Sequence, residues 1–361
     1  MKIITVIGAR PQFIKAACIS RLRPSIVKEI IIHTGQHYDD NMSTVFFKQL
    51  HIPEPDYYLN VGSGTHGTQT ARMIEGIEKI LFNEEPDIVL VYGDTNSTLA
   101  GSLAASKLHI PIAHVESGLR SFNKKMPEEI NRVITDHLSS LLFCPTHTAL
   151  DNLKKEGIVS NVHLVGDIMH DSVLYYKTKA HKQSDILTRL NLSAKKFYLT
   201  TVHRAENTDD PNRLTSILKT ISQLDHDVVF PLHPRTKKQI EKHQLHIYLS
   251  SPHIKVTDPL NYLDMLMLES EAKMILTDSG GVQKEAYLFK VPCITLRDET
   301  EWIETVTEGW NHVTGVNTQL ILNTIDQFKL PPKHPALFGN GRSAEKICQI
   351  LLEFLKSIKK K

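Results

Sequence analysis

The chain has 361 residues, long for one domain and near what two would need. At 41% hydrophobic and 23% charged, its composition is that of a globular protein with apolar material for two cores. Lys and Arg number 42 against 40 Asp and Glu, and a net charge of +2 gives no basic field for nucleic acid.

Short apolar, β-branched runs recur along the chain, each followed by a polar loop and a helical pattern. The first half holds Ile3–Ile7, Glu29–His33, Ile88–Tyr92, Ile112–Val115 and Leu141–Cys144. The second half holds Phe197–Val202, Val228–Leu232, Ile254–Thr257, Met274–Thr277 and Pro292–Leu296. Apolar runs without alternation suit strands buried on both faces. Alternation of strand with helix predicts α/β folding on parallel sheets. Two such series predict two doubly wound domains facing across a cleft, over residues 1–167 and 168–350. The amphipathic end, Ser343 to Lys361, predicts a helix whose residues 351–361 pack back on the first domain.

No apolar stretch reaches the roughly 18 residues of a membrane span. The opening run breaks at Gly8-Ala9-Arg10-Pro11, too soon for a signal peptide. Cys18, Cys144, Cys293 and Cys348 lie far apart, and the 19 histidines never take the His-Glu-x-x-His spacing. The expectation is a reduced, cytoplasmic chain without metal, membrane or nucleic-acid partners.

In open parallel sheets ligands bind beyond the carboxyl ends of the strands. Those positions carry Gly8-Ala9-Arg10-Pro11-Gln12 with Lys15 one turn on, Gly93-Asp94-Thr95-Asn96-Ser97 and Glu116-Ser117-Gly118-Leu119-Arg120. The second half offers His203-Arg204-Ala205-Glu206-Asn207, His233-Pro234-Arg235 and Asp278-Ser279-Gly280-Gly281. Ser279-Gly280-Gly281 follows a strand and opens a helix, where free amides and the helix dipole favour an anion. With Arg10, Lys15 and His203 it suits a nucleotide diphosphate, and Glu285 one turn on suits ribose hydroxyls. The bland reading is a glycine connector followed by a solvated Glu.

Gly62-Ser63-Gly64-Thr65-His66-Gly67 spells a dinucleotide fingerprint, but one that should follow the first strand of its βαβ unit. Gly8-Ala9-Arg10-Pro11 occupies that place, so a hinge or lid before the Ala71–Leu81 helix fits better than NAD. Asp94, Glu116, Glu128 and Glu129 form a candidate carboxylate cluster. Crowding would raise their pKa values, as general acid–base work requires. Competing readings make Asp94 a helix cap, Glu128 a dipole-favoured first-turn acid after Pro127, and His203 a satisfied strand-end histidine.

These motifs, together with His33-Thr34-Gly35-Gln36-His37, Pro127-Glu128-Glu129-Ile130-Asn131-Arg132 and Asp278 to Glu285, resemble the non-hydrolysing UDP-N-acetylglucosamine 2-epimerase family along nearly the whole chain. The resemblance implies a glycosyltransferase-B-like pair of Rossmann-like domains, a homodimer, a UDP-sugar substrate, and no NAD, metal or other cofactor. It implies elimination of UDP to a 2-acetamidoglucal and re-addition with C2 inverted, supplying surface polysaccharides. Asp94, Glu116, Glu128 and His203 would be catalytic. Arg10, Lys15, Arg120, Arg132, Ser279, Gly280, Gly281 and Glu285 would bind substrate.

The chain departs from that pattern in three places. Gln36-His37-Tyr38-Asp39 and Thr68-Gln69 replace the Gln-His-x-Gln run and Arg-Gln pair that hold an activating UDP-GlcNAc, so simple hyperbolic kinetics are expected. Trp302 stands where such members carry an Arg against the diphosphate. Arg120-Ser121-Phe122-Asn123 and Thr300-Glu301-Trp302 resemble the branch acting on UDP-2,3-diacetamido-2,3-dideoxyglucuronate. There Arg120 would meet the sugar carboxylate, unless it pairs with Glu128 or Glu129. A hydrolysing epimerase, a glycosyltransferase of the same architecture and a non-catalytic UDP-sugar sensor are the competing classes.

Overall fold

The apolar runs fold as parallel strands in two sheets, each in its own unit of the chain. The computed structural model describes residues 1–36, 47 and 54–358. Unit 1 comprises residues 1–172 and 338–361, and unit 2 residues 173–337.

Unit 1 contains β1 (Lys2–Ile7), β2 (Lys28–His33), β3 (Tyr57–Tyr58), β4 (Ile88–Tyr92), β5 (Ile112–Val115), β6 (Leu141–Cys144) and β7 (Val162–Leu164). They lie in the order β3-β2-β1-β4-β5-β6-β7, every neighbouring pair parallel. Its helices are α1 (Arg10–Leu22), α2 (His66–Glu84), α3 (Asn96–Lys107), α4 (Pro127–Leu138) and α5 (His147–Lys155). Ile4 and Val6 of β1 and Val89 and Val91 of β4 pack with Met73 and Ile77 of α2 and Ala100 and Ala104 of α3. Gly101 of α3 lets the helix lie close on the sheet, since a Cβ there would stand 3.2–3.3 Å from Val91 and Val6.

Helix α6 (Ile168–Gln183) carries the chain from one unit to the other. Unit 2 contains β8 (Phe197–Thr201), β9 (Asp227–Pro231), β10 (Ile254–Thr257), β11 (Met274–Thr277), β12 (Cys293–Thr295) and β13 (Asn311–Val313). Their order is β10-β9-β8-β11-β12-β13, again all parallel. The helices used below are α7 (Pro211–Ile221), α8 (Pro234–Lys242), α9 (Tyr262–Glu271), α10 (Gly280–Leu288) and α11 (Thr318–Gln327). Alternate residues of one strand serve opposite faces. Tyr198 and Phe230 pack on Leu214 and Leu218 of α7 with Ile240 of α8, whereas Phe197, Leu199 and Val229 pack on Leu268 of α9 and Ala286 of α10. Each such buried side chain is worth roughly 1.5–3 kcal/mol. Double-sided burial explains why these strands read as unbroken apolar runs.

Helix α12 (Ser343–Ile358) belongs to unit 1 and buries Ile347, Leu351 and Leu355. The Asp171 carboxylate accepts from Ser343 N at 3.1 Å and Ala344 N at 2.8 Å, capping two of its orphan amides. In both sheets the strand order reverses beside the first strand, at β1/β4 and β8/β11, where loops on the carboxyl side splay apart. Among the described residues no helix is long and apolar enough to cross a membrane.

Candidate active site

In unit 1 the loops after β1, β4 and β5 are built around buried polar side chains. Gln12 of α1 accepts from Gly8 N at 2.9 Å and Ala9 N at 3.0 Å, and donates to Tyr92 O and Thr98 Oγ1 at 3.0 Å each. The first loop therefore spends its amides on its own chain and offers a ligand side chains instead of an amide cradle. A dinucleotide fingerprint uses the opposite design. Gly8 is fixed by crowding, since a Cβ there would lie 1.8 Å from Thr34 Oγ1 and 2.5 Å from Ser97 Oγ.

Lys15, one helical turn from the loop, is buried and ion-paired with Glu116. Both groups lie over Gly93, where a Cβ would stand 3.0 Å from Lys15 Nζ and 3.3 Å from Glu116 Oε2. Glu116 itself has φ +75°, a left-handed backbone that costs a non-glycine residue on the order of 1–2 kcal/mol. Asp94, in the turn after β4, receives Arg132 Nη2 at 2.6 Å. The helix-cap reading of Asp94 fails, because Thr95 caps α3. Arg132 also reaches Glu129 at 3.2 Å. Asn131 Nδ2 holds Asp94 O at 2.9 Å.

Cations stand among the expected carboxylates: Lys15 pairs with Glu116, and Arg132 reaches both Asp94 and Glu129. Glu128 is half-buried in the first turn of α4, following Pro127. Glu129 is buried and holds the preceding loop, accepting from Ser121 N at 2.9 Å and Phe122 N at 3.0 Å.

Arg120 does not take the expected pairing with Glu128 or Glu129. Its Nε and Nη2 reach the two oxygens of Glu156 at 2.7 and 2.6 Å, and Nη1 reaches Asp136 Oδ2 at 2.7 Å. Burial alone would pull the guanidinium down, but the Glu156 and Asp136 carboxylates hold it above its ordinary value. Both of its partners lie outside the Glu128–Glu129 pair that sequence reasoning considered. Asp136 and Glu156 sit on, or just beyond, helices whose surface-like spacing gave no hint of a buried role.

Unit 2 repeats the principle. Asp278, fully buried after β11, accepts from His203 N at 3.1 Å and Arg204 N at 3.0 Å. His203 Nδ1 lies 3.4 Å from the same carboxylate, and its ring stands 5.6 Å from that of His233. Ser279 caps α10 through Val282 N at 3.5 Å. A Cβ on Gly280 would lie 2.3 Å from Glu301 Oε1, whereas one on Gly281 would meet only Ser279 Oγ at 3.8 Å. Glu301 is held by Arg297 at 2.9 Å, and Lys284 stands 4.2 Å over the Trp302 ring. Glu285 is buried and accepts from Tyr262 Oη at 3.2 Å.

In unit 1 the structure pairs Lys15 with Glu116 and Arg132 with Asp94. Within unit 2, Ser279 caps α10, which carries Gly280, Gly281 and Glu285. Arg10 opens α1, but its side chain lies outside the described residues, as do His37, Tyr38 and Asp39. Gln69, in the expected activator position, is committed internally, donating to Gly62 O at 2.8 Å and accepting from Asn96 at 2.8 Å.

The profile of the family described as UDP-N-acetylglucosamine 2-epimerase matches residues 21–352. A Methanococcus maripaludis protein named as a homologue of UDP-N-acetylglucosamine 2-epimerase is 54% identical, over 97% of this chain and 99% of its own. The UDP-2,3-diacetamido-2,3-dideoxy-D-glucuronate 2-epimerase of Pseudomonas aeruginosa is 49% identical over the same shares. The crystal structure of Methanocaldococcus jannaschii UDP-GlcNAc 2-epimerase with UDP-GlcNAc and UDP superposes with a TM-score of 0.92. It is 47% identical, over 98% of this chain and all of that one.

Proposed function

The chain belongs to the UDP-N-acetylglucosamine 2-epimerase family, whose members are isomerases, and from that premise we propose that it interconverts UDP-N-acetylglucosamine and UDP-N-acetylmannosamine. The observation that carries the reading is the alternation of acid and cation at adjacent strand ends, Lys15 with Glu116 and Arg132 with Asp94.

The C2 proton has no neighbouring carbonyl to acidify it, so direct exchange at C2 is slow. Elimination avoids this. A carboxylate takes the C2 proton as the C1–oxygen bond breaks, UDP leaves with the bonding pair, and a 2-acetamidoglucal forms. Re-addition of UDP to C1 with proton delivery to the other face of C2 gives the epimer. Asp94, Glu116 and Glu128 supply the carboxylates, with His203 as a further acid–base group. Arg132 and Lys15 keep Asp94 and Glu116 oriented. Ser279, Gly280 and Gly281 take the diphosphate at the start of α10, Arg10 adds a cation, and Glu285 takes the ribose.

The P. aeruginosa relative favours a second substrate, the diacetamido uronate. Against it stands Arg120, the cation proposed for the sugar carboxylate, which is buried against Asp136 and Glu156. Pure protein incubated with each UDP-sugar, with products resolved by chromatography, decides between them. UDP-ManNAc from UDP-GlcNAc supports the first reading. Turnover of the uronate alone supports the second, and free sugar released with UDP indicates a hydrolysing epimerase.

A further inference from the structure

Beneath the Asp94 and Glu116 loops runs a largely buried chain of polar groups that the proposed mechanism does not use. His114, on β5 two residues before Glu116, is fully buried. Its Nε2 lies 2.8 Å from Gly93 O, the carbonyl immediately before Asp94. Its Nδ1 lies 2.7 Å from Asp136 Oδ1. The other Asp136 oxygen accepts from Gly118 N at 3.1 Å and from Arg120 at 2.7 Å, and Arg120 in turn holds Glu156.

A backbone carbonyl can only accept, so Nε2 carries a proton. Asp136 is also an acceptor. Burial pushes its carboxyl up, but hydrogen bonding and charge from His114 and Arg120 outweigh this and hold it below the ordinary value. The ring thus bridges Gly93 O and the Asp136 carboxylate. Asp136 is buried between His114 and Arg120, and Arg120 carries the chain on to the partly exposed Glu156.

The attachment points give this chain its use. Gly93 is tied to β5 twice, by its N–H to Val115 O at 2.9 Å and by its carbonyl to His114. Gly118 N is held by Asp136, and Glu116 and Ser117 both donate to Phe143 O at 3.1 Å. The strained Glu116 backbone is thus fixed on both sides, and the turn carrying Asp94 is referenced to the same strand. Strain of this kind persists only where the surroundings over-determine it.

We propose that His114, held by Asp136, is a positioning residue that sets Asp94 relative to Glu116 for the reaction at C2. This rests on the assignment of those two carboxylates to the epimerisation.

Two conservative variants separate the ring's two bonds. His114→Gln places an amide donor near the Nε2 position and keeps the bond to Gly93 O. His114→Asn places one near Nδ1 and keeps only the bond to Asp136. For folded His114→Asn, kcat should fall about 10- to 100-fold, as small misplacements of reacting groups do. UDP affinity and KM should stay within about twofold of wild type, the split expected when only the chemical step is touched. His114→Gln should recover most of the loss. In wild-type protein labelled with 15N-histidine, the fully buried His114 ring should show a solvent-protected Nε2 proton hydrogen-bonded to a carbonyl, a readout that needs no variant. No solvent-protected Nε2 proton in wild type, equal loss in both variants, or full kcat in folded His114→Asn overturns the proposal while leaving the epimerase reading intact. Wild-type protein that exchanges no C2 hydrogen on either UDP-sugar overturns the reading itself, and the proposal with it.

Discussion

Replacing Arg120 by Ala should unfold the loop after β5 before it touches substrate preference. The side chain is almost wholly buried, with its guanidinium making four hydrogen bonds of 2.6–2.7 Å, to both oxygens of Glu156, to Asp136 and to Leu119 O. Removing one partner of a buried pair costs about 3–5 kcal/mol, because the other charge stays behind without compensation. Two features place Arg120→Ala at the lower end. Asp136 keeps the His114 ring and Gly118 N, and Glu156 is partly exposed and can rehydrate. A loss of about 3 kcal/mol lowers Tm by about 6–12 °C in a unit of this size. Turnover should fall by the same factor on UDP-GlcNAc and on the diacetamido uronate, since the loop carrying Glu116 loosens for both. Thermal unfolding by circular dichroism and initial rates on the two sugars supply the measurement. An unchanged Tm with loss confined to the uronate would refute the reasoning and return Arg120 to the sugar carboxylate.

Four further outcomes follow from the same geometry. Asp94→Asn should keep UDP affinity by calorimetry yet lose a factor of about 100 or more in turnover, as removal of an acid–base group does; wild-type turnover would exclude Asp94 from the chemistry. Gly281→Ala meets open space and should fold normally while UDP affinity falls by about tenfold, about 1.4 kcal/mol. Gly280→Ala must instead displace the Glu301 carboxylate from Arg297 and should lose about 1–3 kcal/mol of stability as well. Since Asp136 titrates below its unfolded value of about 3.9, its stabilisation is complete above that pH and is lost as pH falls through the lower folded value. Acid unfolding followed below about pH 4 should show a shallower pH dependence in Asp136→Asn than in wild type.

Most of the fold was legible in the sequence because most strands are buried on both faces. β4, β5, β6, β10 and β11 coincide with their apolar runs. β3, β7 and β13 were missed or read only as weak runs for a physical reason. Each is an edge strand of two or three residues with partly exposed positions, so no continuous apolar signal exists. The strand-end loops were also legible, since functional groups clustered there. Their pairing was not. Lys15 and Glu116 are 101 residues apart and Asp94 and Arg132 are 38 apart, so only the folded sheet shows these pairings. His114 and Asp136 escaped notice because a lone histidine in a strand and an aspartate in an amphipathic helix look ordinary until both are found with no exposure to solvent.

The measurement closest to the central claim is hydrogen exchange at C2. Wild-type protein is incubated with UDP-GlcNAc in deuterated water, and the recovered UDP-sugars are read by proton NMR. Elimination and re-addition predict deuterium at C2 in UDP-ManNAc and in recovered UDP-GlcNAc, with the C1–oxygen bond to UDP restored. Epimer formed with its C2 proton retained, or no exchange at all on this sugar and the uronate, would contradict the account.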